Sequence, residues 1–270
     1  MGGRDESGGL AIPRALAETA QGFDRSCALP PECSADLAVL DGATIVLDLD
    51  GTLVDSAPDL VGTLNFLLAQ EGVAPLTLDE ARPMIGRGAR ALLLQGFAAA
   101  GAPVPHDRMD DLFNQFIAHY EGRIADESRI FPGVLEALGR LRRAGARLAV
   151  CTNKRTALSV HLLEALGFAD RFEAIVGADS APAAKPDPRH LTTAIAQAGG
   201  AVDRAVMVGD SVSDAGAARA AGTPLILVSF GYTETPAAQL GADIVIDHYD
   251  QLVDACGALL TPCRSPLKAL

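Results

Sequence analysis

The 270-residue sequence has no tryptophan and only 4% aromatic residues. Alanine and glycine are abundant instead, which suits closely packed helices over a sheet. Basic charge is also short: 22 Lys and Arg stand against 34 Asp and Glu, a formal charge of -12. A nucleic-acid binder usually shows a basic face, so this balance argues against that class. No apolar run reaches the roughly 18 residues that a membrane span needs. Residues 91–104 come nearest, but Gln95, two glycines and a proline interrupt them. The first 20 residues hold no signal-peptide core. These absences predict a soluble, cytoplasmic protein with no membrane and no nucleic-acid partner. Cysteine is sparse and odd in number, five residues without zinc spacing. Cys27 and Cys33 could pair if oxidised, but unpaired thiols in a reducing cytosol are the expectation.

What is present is an ordinary globular composition, 49% apolar and 21% charged. A chain this long can bury a sizeable core as one large domain or two modest ones.

The stretch TIVLDLDGTLVDS, Thr44 to Ser56, organises the rest. An apolar strand, Thr44 to Leu49, carries Asp48 and Asp50 two residues apart, hence on one face, before a Gly-Thr turn. Two carboxylates about 6 Å apart would repel by roughly 2–3 kcal/mol at an effective dielectric of about 20. A divalent cation site justifies that cost, above all if one carboxylate attacks and the other handles protons.

Residues 1–40 open with glycines and suit a flexible extension, with a short helix possible at Arg14 to Gln21. From Asp59 to Ile130 the pattern is helical with no convincing strand. Apolar faces occur at Leu60, Leu64, Leu67 and Leu68, at Leu92, Leu93 and Phe97, and at Leu112, Phe113, Phe116 and Ile117. From Phe131 the pattern alternates. Helices are expected at Gly133–Ala144, Thr156–Leu166, Arg189–Ala198 and about Ser213–Ala221. Strands are expected at Arg147–Cys151, Ala174–Val176, Ala205–Val208, Leu225–Val228 and Ile244–Ile246. Such βα alternation predicts a Rossmann-like α/β fold, a parallel sheet with helices on both faces. The expected division is a core of 41–57 and 131–250, an inserted helical-bundle cap of 58–130, and a C-terminal helix and tail of 251–270, frayed from Pro262.

Three apolar runs end in polar residues: TIVL in Asp48 and Asp50, LAVC in Thr152-Asn153, and VMVG in Asp210. The carboxyl ends of parallel strands line the ligand crevice, so these distant residues converge. In order along the chain, DLDGTLVDS, CTNK, AKPDP and GDSVSD resemble the four motifs of the haloacid dehalogenase superfamily of phosphohydrolases. The helical insertion and IGRGARALL, Ile85 to Leu93, look most like its phosphoglycolate phosphatases. About 40 residues precede the first motif, more than is usual for the family.

The resemblance implies a Mg²⁺-dependent phosphatase with Asp48 as nucleophile, forming an aspartyl-phosphate. Asp50 would act as acid and then base, its proton favoured by crowding from other carboxylates, and the family places its main-chain carbonyl on the metal. Asp210 would ligate Mg²⁺ directly, and Asp214 would contact the metal or its waters. Thr152 and the amide of Asn153 would hold phosphoryl oxygens, with Gly51 and Thr52 also at the substrate. Lys185 would supply fixed positive charge from an extended loop, since Pro186 disfavours helix. Arg87, in Gly86-Arg87-Gly88, is the candidate for a second anionic group such as the carboxylate of glycolate. The five histidines show no ligand spacing and read as surface or satisfied residues. The expected substrate is a small phosphorylated metabolite, with 2-phosphoglycolate to glycolate and phosphate the first choice, and the expected assembly is a monomer or homodimer. Rivals are a sugar-phosphate phosphatase, nucleotidase, pyrophosphatase or phosphomutase on the same scaffold, or a non-catalytic binding protein. Asp50 argues against a dehalogenase, because that branch lacks a second acid there.

Overall fold

The computed structural model describes residues 37–261. The readings of the N-terminal extension up to residue 36, the Arg14–Gln21 helix, Cys27 with Cys33, and the end from Pro262 fall outside the described residues. The last four residues of the expected extension, Leu37–Leu40, instead form a short 3-10 helix with Leu40 buried in the core. In chain order come β1 (Thr44–Leu47), β2 (Val54–Asp55), α1 (Ala57–Gln70), α2 (Leu78–Ala81), α3 (Ala89–Ala99), α4 (Met109–Glu121) and β3 (Arg129–Ile130). There follow α5 (Val134–Arg143), β4 (Arg147–Thr152), α6 (Thr156–Ala165), β5 (Ala174–Gly177), α7 (Pro188–Gln197), β6 (Ala205–Gly209) and α8 (Val212–Ala221). The last are β7 (Leu225–Val228), β8 (Ile244–Ile246) and α9 (Leu252–Leu260).

Six strands form one parallel sheet in the order β5-β4-β1-β6-β7-β8. They are continuous apolar runs because both faces are covered. On one face, Ile45, Leu47, Leu148, Val150, Val206 and Val208 pack against helices that include α1, α5, α6 and α9. On the other, Val46, Ala149 and Met207 meet Leu191, Ala194 and Ile195 of α7 and Ala215, Ala217 and Ala218 of α8. The small residues of α8 let it lie close to α7, its main helical neighbour.

The register positions the site. Leu47 pairs with Val150 on β4 and with Val208 on β6. Asp48 is the next residue after Leu47, and Thr152 and Asp210 stand two residues beyond those partners, so all three emerge at one edge.

Two local expectations are corrected. The first strand ends at Leu47, not Leu49. The Leu49 N–H turns back to Asp48 Oδ1 at 2.7 Å. The Leu49 carbonyl accepts from Thr52, Leu53 and Val54. The chain therefore turns at once, and strand alternation does not set the relation of Asp48 to Asp50. Both side chains still border one cavity. The second correction is in the segment read as wholly helical. There β3 pairs antiparallel with β2, Val54 opposite Ile130 and Asp55 opposite Arg129. A two-residue ribbon has no periodicity to detect.

Four helices, α1 to α4, occupy the chain between β2 and β3 among the described residues. Leu60, Leu64, Leu67 and Leu68 of α1, Leu92, Leu93 and Phe97 of α3, and Leu112 and Phe116 of α4 are buried. Phe113 and Ile117 are only half-buried; they pack against this core and also line a cavity. The insertion's two ends are tied together. Buried Asp59, in the first turn of α1, accepts from the Glu127 and Ser128 amides and from the Ser128 hydroxyl at 2.6 Å.

Candidate active site

At the C-terminal edge of β1 and β6, oxygens of Asp48, Asp210 and Asp214 all lie within 4.8 Å of one another, and all three residues are buried. One cation faces this concentration of negative charge directly. Lys185 Nζ lies 2.9 Å from Asp48 Oδ1 and 2.7 Å from Asp214 Oδ1, and donates to the Cys151 carbonyl at 2.6 Å. Lys185 stands in the loop before α7, as expected, where Asp187 caps the helix by accepting from the Arg189 amide. Two further partners hold the loop. The Lys185 amide donates to Asn153 Oδ1 at 2.9 Å and to His190 Nδ1 at 3.1 Å. With Nδ1 accepting, His190 carries its proton on Nε2 and donates to the Val176 carbonyl. It is a satisfied core histidine, its basicity lowered to about 4, foremost by burial.

Electrostatics follow from burial. Loss of solvent drives Asp48 up to about 7, against the pull of Lys185 and with a further push from Asp214. Asp210 is raised well above the ordinary carboxylate range, by burial first and then by the charges of Asp214 and Asp48. Burial works against the charged form of Lys185, but Asp214 and Asp48 outweigh it and hold the ammonium protonated.

Each carboxylate is held differently. Asp48 Oδ1 takes both the Leu49 amide and Lys185, while Oδ2 has no hydrogen-bond partner among the described residues. Asp210 Oδ2 accepts from the Tyr232 amide at 2.7 Å, and Oδ1 accepts from the Thr52 hydroxyl at 3.4 Å. Asp214 Oδ2 accepts from the amides of Asp210 and Ser211 and from the Ser211 hydroxyl. With Oδ1 on Lys185, Asp214 is the most fully engaged of the three. Gly51 and Gly231 make the crowding possible: a Cβ at either would overlap Asp210, and Gly51 also has a φ of 81°. The hard oxygen donors, compact and short of positive charge, fit a Mg²⁺ ion.

Asp50 departs from expectation. Its neighbour is a lysine rather than another carboxylate. Lys154 Nζ reaches both Asp50 oxygens at 2.9 Å, and the Ser56 hydroxyl also donates to Asp50. Lys154 lies 4.8 Å from the centre of the Tyr120 ring. The Tyr120 hydroxyl, pushed up to about 12 by burial first, has no hydrogen-bond partner among the described residues. Sequence reasoning missed Lys154, although it is the last residue of CTNK. A lysine at a helix start ordinarily reads as solvated.

A cavity of about 240 Å³ opens over Asp48, Asp50, Thr152 and Asn153 and runs beneath Arg87 into the inserted helices. Thr152 is buried, and its hydroxyl oxygen accepts from the Lys154 amide at 3.2 Å. The Asn153 side chain donates to the Gly86 carbonyl at 3.0 Å and to the Lys185 carbonyl at 3.1 Å. It thus joins the Arg87 loop to the Lys185 loop. Of the cations lining this cavity, Lys154 faces Asp50, Arg90 faces Asp110 and Arg155 faces Asp179. Arg87 has no carboxylate partner among the described residues. Gly51 and Thr52 lie on the Asp210 side rather than on the cavity wall. Tyr232, also missed by sequence reasoning, fixes that side, its hydroxyl donating to Asp55 at 2.6 Å and accepting from the Ala57 amide.

A parallel α/β sheet with buried carboxylates and a lysine at the carboxyl ends of its strands defines a ligand-binding crevice of an α/β protein. The comparisons specify the family. The family model of haloacid dehalogenase-like hydrolases matches residues 43–222. A phosphoglycolate phosphatase of Caulobacter vibrioides is 60% identical over 227 residues, 84% of this chain and 96% of that protein. The crystal structure of a predicted phosphoglycolate phosphatase from Haemophilus somnus is 30% identical, with a TM-score of 0.74 over 80% of this chain and 98% of that one. CbbY from Rhodobacter sphaeroides, solved in complex with phosphate, is 26% identical, with a TM-score of 0.66 over 78% of this chain and 96% of that one. The chain belongs to the haloacid dehalogenase-like hydrolases.

Proposed function

We propose that this hydrolase is a Mg²⁺-dependent phosphatase of small phosphomonoesters, with 2-phosphoglycolate its first substrate, acting through a phosphorylated Asp48. The observation that carries the reading is the divided carboxylate of Asp48, with Oδ1 fixed by Leu49 and Lys185 and Oδ2 left without a partner. An immobilised carboxylate with one free oxygen is poised as a nucleophile. The naming of the Caulobacter vibrioides relative supports phosphoglycolate as substrate, and the phosphate in the CbbY structure supports a phosphate-binding crevice.

Asp48, Asp210 and Asp214 would hold the Mg²⁺ ion with the main-chain carbonyl of Asp50, Asp214 in part through water. The bound ion would neutralise charge on the phosphoryl oxygens. Lys185 would stabilise those oxygens from the other side while holding Asp48 and Asp214 in place. Thr152 and the Asn153 amide would hold the transferring group, with Gly51 and Thr52 shaping the turn beside it. Asp50 would give a proton to the departing alkoxide and then take one from the water that cleaves the acyl-phosphate. The helices α1 to α4 would act as a cap, with Arg87 presented to the carboxylate of the substrate.

Phosphate release from 2-phosphoglycolate tests this, measured with and without Mg²⁺ in the wild type and Asp48→Asn. Turnover should require the ion and fall by about a thousandfold or more in the variant. Full activity in Asp48→Asn overturns the covalent route.

A further inference from the structure

The cavity over the carboxylates is larger and more apolar than glycolate needs. Beyond Asp48 and Asp50 its wall is formed by Leu60 of α1, Leu92 of α3, Phe113 and Phe116 of α4, and Leu158 of α6. Leu60, Leu92, Phe116 and Leu158 are all at least nine-tenths buried, so the wall is rigid core and not exposed rim. Glycolate offers one methylene and a carboxylate. That is too little to fill a cavity of about 240 Å³. Arg87 is also the one cavity-lining cation without a carboxylate partner among the described residues; Arg90 lies over the Phe113 ring and pairs with Asp110.

We propose that the enzyme also hydrolyses phosphomonoesters of uncharged primary alcohols bearing an apolar or aromatic body, which lies against the Leu60, Phe113 and Leu158 wall. This rests on the phosphatase reading above and extends its substrate class. The chemistry is unchanged. The Asp48 oxygen bonds to phosphorus as the phosphorus–alcohol oxygen bond breaks, and the alcohol leaves with a proton from Asp50. Water then bonds to phosphorus, returns a proton to Asp50 and frees Asp48, giving orthophosphate and the alcohol. Covering the wall expels water, and each buried methylene contributes about fourfold in kcat/KM.

The test is kcat/KM for n-alkyl phosphates from ethyl to hexyl, with 2-phenylethyl phosphate and 2-phosphoglycolate, by phosphate release from the Mg²⁺-loaded enzyme. The alkyl leaving groups have closely similar acidity, so the series reports on the wall. The expected result is a rise of about fourfold per methylene that levels off as the cavity fills. A matching Phe113→Ser series should lower the hexyl-to-ethyl ratio by about fivefold or more. A flat or falling wild-type series with 2-phosphoglycolate turnover intact overturns this inference alone. An unchanged ratio in folded Phe113→Ser overturns the assignment of the wall. No turnover of any ester overturns the inference together with the reading it rests on.

Discussion

Lys154 Nζ lies 2.9 Å from both carboxylate oxygens of Asp50, with only 6% and 10% of the two side chains exposed. Burial alone would favour neutral Lys154, but Asp50 keeps it charged. Removing Lys154 takes away the group that holds both oxygens of buried Asp50 in place. Lys154→Met is expected to lower kcat for 4-nitrophenyl phosphate by about tenfold or more, and stability by about 3 kcal/mol. Steady-state kinetics and urea denaturation read the two effects separately.

Arg87 gives a second expectation. Arg87→Ala should lose about tenfold more kcat/KM with 2-phosphoglycolate than with 4-nitrophenyl phosphate, because only the former offers a carboxylate. Equal losses would remove Arg87 from the account of specificity.

The raised carboxylates predict a pH-dependent stability. Native Asp48 keeps its proton up to about pH 7, whereas the unfolded chain releases it near the ordinary value of about 3.9. Between those values the native state binds more protons, so this group's contribution falls as pH rises and its penalty is complete above pH 7. In EDTA, Asp48→Asn should therefore gain Tm relative to wild type on going from about pH 5 to about pH 8. Millimolar Mg²⁺ should shrink that gain by stabilising the ionised wild type. Thermal denaturation of both proteins at the two pH values decides it, and a constant difference would contradict the burial of Asp48.

Asp59 is expected to matter for folding rather than chemistry. Asp59→Ala strands two backbone amides and a hydroxyl at the return from the helices, two of these groups on fully buried Ser128. A loss of about 2–4 kcal/mol should follow in chemical denaturation. Michaelis parameters below the unfolding range should change far less than stability.

Much of the site could be read from the chain because buried parallel strands are unbroken apolar runs. The runs ending at Asp48, Thr152 and Asp210 mark one sheet edge whatever the intervening loops do. Lys185 was legible for a similar reason, since Pro186 keeps it out of the following helix. Side-chain neighbours were less accessible. A strand running on to Leu49 would set Asp50 beside other carboxylates, but the strand ends two residues earlier, at Leu47. The turn at Leu49 instead delivers Asp50 to Lys154, a residue far along the chain with no pattern of its own. The β2–β3 ribbon was missed because two residues carry no period. Tyr232 lies in an irregular loop after β7, where nothing in the composition marks its amide as a support for Asp210 or its hydroxyl as a tie to Asp55.

Asn153 grips the Arg87 loop through the Gly86 carbonyl, a main-chain atom that every amino acid possesses. On the insertion's side the joint therefore asks for a path of the backbone, one that Gly86 follows at a φ of 101° and that a side chain there would strain. If the four helices act as the proposed cap, their side chains could be exchanged to suit another alcohol while that clasp stays closed. Recognition and reaction would then be coupled in space but open to separate redesign.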